Sequence, residues 1–137
     1  MKNKTFWIGF LVVFIVMQAI GFLIHGVMLD DMYQALAASF RPKEQMDAMM
    51  WIMILSGTAV LFLFCYVYTK GHEGKGIMEG VRYGALMGLF LALPTSVDAY
   101  VLYPLTQELA VIWFVTTVVS MMIAGAIFAA IYKPSGD

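Results

Sequence analysis

Four long apolar runs, separated by short polar stretches, set the plan of this 137-residue chain. They cover about 6–29, 43–70, 77–103 and 108–132, and each exceeds the roughly 20 apolar residues that a helix needs to cross a bilayer. The first run alone reaches about 36 Å at 1.5 Å per residue. The pattern predicts an all-α membrane protein, a single domain over 1–137 built as an up-down-up-down bundle of four transmembrane helices. Between the first two runs, Met32, Tyr33, Leu36 and Phe40 recur at roughly helical spacing against Asp31, Gln34 and Ser39. That periodicity predicts a short interfacial helix over about 31–40. Pro42 suits the first position of the second helix, with Glu44 and Asp47 in turns where the helix dipole favours acids.

Within the third run the small residues Gly76, Gly80, Gly84, Gly88, Ala92 and Ser96 fall every fourth position. Residues four apart share one side of a helix, so Gly80, Gly84, Gly88, Ala92 and Ser96 form a seam with little side-chain bulk. Lipid offers no hydrophobic gain for bringing helices together, and close backbone approach over small residues supplies the attraction instead. The fourth run, with Ser120, Ala124, Gly125, Ala126, Ala129 and Ala130, is the expected partner of that seam. Pro94 removes one backbone bond from the third helix and predicts a bend, with Thr95 and Ser96 placed to satisfy freed backbone groups.

Composition removes the soluble alternative. Hydrophobic residues make up 62% and charged residues 12%, against about 25% charged in soluble domains. What matters is where the charges sit. Lys2, Lys4, Lys70, Lys75, Arg82 and Lys133 fall on one side of the predicted bundle, and Arg41 and Lys43 on the other. The excess of Lys and Arg marks the cytoplasmic side, so both termini are expected there, in a bacterial inner membrane. The run after Lys2 and Lys4 is too long for a signal peptide and reads as a retained signal-anchor helix. Tyr and Trp residues at the ends of the runs form the expected interfacial belts. The lone cysteine, Cys65, excludes an intramolecular disulfide and reads as a small core residue.

Polar residues inside the apolar runs are the candidates for chemistry. Gln18 and His25 share a face of the first helix with Gly21 between them, and Thr95 and Asp98 lie near the far end of the third. An ionisable group in a membrane helix is a functional hypothesis by default. Counted from the helix ends, His25 and Asp98 fall at matching depth. A His–Asp couple there would relay a proton, gate a small cavity or lock two helices together. A second candidate is a Cu(I) site of His25, Met28, Met46, Met49 and Met50, because thioether and imidazole ligands suit that ion. Methionine is also a supple filler of helix interfaces. His72 and Glu73 read as a solvated surface pair, and Glu79 and Arg82 as a pair on one helix face.

No phosphate-cradling loop, nucleophile–base–acid set or basic patch interleaved with aromatics is present. The sequence therefore predicts no enzyme, no cofactor and no nucleic-acid partner. It also identifies no soluble substrate. The leading expectation is a non-catalytic accessory subunit whose partners are the lipid bilayer and other membrane helices, through a larger assembly or self-association. A small proton-linked transporter or channel subunit built on Gln18, His25, Thr95 and Asp98 is the alternative.

The chain resembles the small four-helix integral membrane proteins of unknown function found widely in bacteria. The resemblance rests on Phe22-Leu23-Ile24-His25-Gly26, on the stretch from Tyr68-Thr69-Lys70 through Gly71-His72-Glu73-Gly74-Lys75-Gly76, on Gly80-Val81-Arg82-Tyr83-Gly84, and on Ile131-Tyr132-Lys133-Pro134. It implies a four-helix fold and a membrane location.

Overall fold

A computed structural model describes residues 3–134; Lys2, counted among the basic residues above, lies outside them. Among the described residues the chain is all-helical, with no strand. Four helices are long and apolar enough to cross a membrane: helix one, Lys4–Met28; helix two, Lys43–Gly71; helix three, Ile77–Leu102; and helix four, Gln107–Ile131.

Helix one starts two residues earlier than its apolar pattern because Asn3 caps it. The Asn3 side-chain oxygen accepts from the backbone N–H groups of Thr5 and Phe6, two of the donors that a helix start leaves unsatisfied. From Phe22 to Met28 the helix widens into π-helical turns. The wider turn brings Leu29 into a small far-end core with Leu105 and Leu109. The short helix that follows, Asp30–Ala35, and the single turn Ala37–Ser39 lie against this core through Met32, Tyr33, Leu36 and Phe40.

Pro42 is the cap of helix two, in extended conformation, not its first helical residue. With φ fixed by its ring, proline serves at either position. In helix three the missing N–H of Pro94 is absorbed by a second set of π-helical turns over Leu93–Asp98. Thr95 Oγ1 donates to the Leu91 carbonyl at 2.7 Å, whereas the buried Ser96 hydroxyl has no partner among the described residues. Thr106 opens helix four by accepting from the Leu109 N–H.

Helix four is the hub. It packs along helix three and, more sparingly, against helix one. The main core joins Phe6 and Val13 of helix one, Leu61, Phe64, Cys65 and Tyr68 of helix two, and Met121, Ala124 and Phe128 of helix four. At this terminal end the chain's two described extremities meet. Asn3 Nδ2 donates to the Lys133 carbonyl, and the Lys133 N–H donates to Thr5 Oγ1. At the far end Ser39 Oγ donates to the Pro104 carbonyl, tying the two far-end connections together. Helix two belongs to the bundle only over its second half. Every residue from Arg41 to Gly57 is exposed, and burial begins at Leu61.

Candidate functional site

Helices three and four meet backbone to backbone along a glycine seam. A Cβ on Gly84 would run into the Met121 carbonyl oxygen, and one on Gly80 into that of Gly125. A Cβ on Gly88 would lie 2.8 Å from Val118 Cα. Gly125 faces the Gly80 carbonyl oxygen in the same way. Ala92 and Ser96 continue the line and are fully buried. Here backbone touches backbone, which only residues without a side chain permit. Beside Ser96, between the π-helical turns and the start of helix four, lies a shallow apolar groove of about 260 Å³.

The polar residues of the runs are placed as follows. His25 lies in the π-helical end of helix one, and its Nδ1 is 2.6 Å from the Tyr33 hydroxyl. Tyr33 also accepts from Trp113 Nε1 at 2.8 Å. With one lone pair taken by the indole, the Tyr33 hydroxyl is free to donate to the imidazole. This three-membered chain fastens helix one, the short helix and helix four at the far end. Burial pushes the Tyr33 phenol above its usual range, and the Trp113 hydrogen bond opposes that in part.

Asp98 lies in the π-helical turns of helix three, exposed, and makes no hydrogen bond or ion pair among the described residues. The same holds for the Gln18 side chain on helix one, and Thr95 spends its hydroxyl on Leu91. His25 and Asp98 are not hydrogen-bonded to each other. Each occupies π-helical turns, a distortion frequent at functional sites. Met28, Met46, Met49 and Met50 are exposed. Among the described residues no group of three His, Cys, Asp or Glu side chains is placed to hold a metal ion.

At the terminal end a second cluster appears that local spacing does not reveal. His72 is not a solvated partner of Glu73. Its Nδ1 lies 3.3 Å from Glu79 Oε1 and 3.3 Å from the Tyr68 hydroxyl, and its ring sits between those of Tyr68 and Tyr132. Nor does Glu79 turn to Arg82. Its two carboxylate oxygens accept from the backbone N–H groups of Glu73 and Lys75, at 2.8 and 2.6 Å. Glu73 instead pairs with Lys75, whose ammonium it holds above the usual lysine range. The turn that allows this uses Gly74 and Gly76 at φ of 76° and 78°, a region that L side chains rarely adopt. Glu79 is thus a clamp on the loop between helices two and three. A cleft of about 390 Å³ opens beside it, lined by Val67, Tyr68, Lys70, Gly71, Glu79 and Tyr83.

Compared with family models, with curated proteins and with solved structures, the chain finds no match in any of the three.

Proposed function

We propose that this chain is a non-catalytic accessory subunit of the bacterial inner membrane, an up-down-up-down bundle with both termini in the cytoplasm, that acts by packing against other membrane helices. One observation carries the reading. Gln18, well inside helix one, is exposed, and its amide has no partner among the described residues. An unsatisfied polar group in hydrocarbon is costly, so that amide is completed by another helix. The exposed Asp98 carboxylate adds to the same demand. The Lys and Arg bias supports the orientation.

The test is recovery of the chain from membranes in mild detergent after chemical crosslinking. The expected product is a complex with other membrane proteins or with further copies of the chain. A monodisperse monomer with no crosslinked partner contradicts the proposal.

A second reading is favoured by the two sets of π-helical turns, which carry His25 and Asp98. In it, water entering from the far end meets Gln18, His25, Thr95 and Asp98, and the chain moves protons or a small solute. Flux into liposomes decides this. If Asp98→Asn and His25→Ala leave flux and its pH response unchanged, the reading is lost.

A further inference from the structure

We infer that the partner at Gln18 is a second copy of this chain, joined in parallel along the outward face of helix one. The inference rests on the subunit reading above and names its partner. The inward face of helix one is spoken for: Phe6, Gly9 and Val13 are buried in the main core. The outward face carries Ile8, Leu11, Ile15, Gln18 and Phe22, all exposed, with Phe22 exposed by 68%. These positions are spaced three, four, three and four, the a and d positions of a heptad repeat. Ile8, Ile15 and Phe22 take the a positions, and Leu11 and Gln18 the d positions. Isoleucine at a with leucine at d favours two parallel strands, and one polar residue in the seam fixes the register.

The membrane supplies the rest of the argument. Two copies inserted with the same orientation are related by an axis along the bilayer normal, so each residue faces its own counterpart at equal depth. At such an axis a lone carboxylate or ammonium would meet its like. A primary amide instead holds both donors and an acceptor, so Gln18 complements itself. Between Ile8 and Phe22 this face carries no charged residue; Lys4, one heptad before Leu11, lies at the helix start, where its long side chain reaches the headgroups and water. On helix two the Thr58 hydroxyl is already given to the Ile54 carbonyl.

The test places single cysteines in the full chain, in a Cys65→Ala background whose helicity is checked, reconstituted in phosphatidylglycerol–phosphatidylcholine vesicles. On oxidation, Leu11→Cys, Ile15→Cys and Gln18→Cys are expected to give disulfide-linked homodimers, and Val12→Cys and Val16→Cys not. In a fluorescence-transfer dilution series, Gln18→Leu is expected to associate about three- to twenty-fold more weakly, the range of interhelical hydrogen bonds in bilayers. Gln18→Asn is expected to retain most of the association. Flat or absent cysteine crosslinking from a chain still recovered with other membrane proteins overturns the homodimer and leaves the subunit reading standing. Association unchanged in Gln18→Leu also overturns it. Absence of any assembly overturns both.

Discussion

The contact between helices three and four and the first half of helix two are both built largely of apolar residues, yet in one backbone lies against backbone and in the other every residue is exposed. Along helix three, glycine every fourth residue lets the Gly80 and Gly84 backbones lie against Gly125 and Met121. Along helix two, Met46, Met49, Met50, Trp51, Ile52, Met53, Ile54 and Leu55 are all exposed. In water both would be driven into a core. In lipid, hydrophobicity does not distinguish a neighbouring helix from an acyl chain, and association follows the fit of surfaces. Side-chain size, not polarity, therefore decides where this bundle closes.

The sharpest way to break the contrast is to put bulk into the seam. Gly84→Leu is expected to lower stability by about 3 kcal/mol or more, because the obstacle is Met121 backbone and not a movable side chain; thermal unfolding in detergent measures it. Next in size is the clamp on the loop between helices two and three. Glu79→Ala leaves the Glu73 and Lys75 N–H groups without their acceptor and is expected to cost about 1.5–3 kcal/mol. Its sign is faster amide exchange and protease cleavage over 71–76.

At the far end, Tyr33→Phe removes the link between His25 and Trp113, with an expected loss of about 1–2 kcal/mol and a shift in tryptophan emission. On the open side the sign reverses. A Cβ on Gly57 meets nothing within 4 Å, so Gly57→Ala is expected to stabilise helix two by about 0.5–1 kcal/mol. Smallest of all, Met49→Leu is expected to change stability by less than about 0.5 kcal/mol.

Much of this was written in the spacing of residue types. Four apolar runs of bilayer length mark the four helices, and the four-residue interval from Gly80 to Ser96 marks the surface that meets helix four. Both are short-range periodicities that a helix converts directly into faces. Other features depend on how the chain turns. His72 beside Glu73, and Glu79 beside Arg82, look like local pairs. The loop instead folds on Gly74 and Gly76 so that one carboxylate serves two backbone N–H groups and His72. Tyr33 becomes the partner of His25 only because the short helix after Leu29 doubles back over the far-end core. Hydropathy does not separate the packed half of helix two from its exposed one, since both are strings of apolar residues, from Met49 to Leu55 and from Ala59 to Val67.

Helix two stands clear of the bundle from Lys43 to Gly57 and joins it from Leu61, and a nitroxide scan of positions 46–68 at high dilution in lipid tests that most directly. Collisional access of oxygen is predicted to be high at every position from 46 to 57, without helical periodicity. From 61 to 68 it is predicted to fall at 61, 64, 65 and 68. Shielding that repeats every three to four residues along the whole stretch would contradict it.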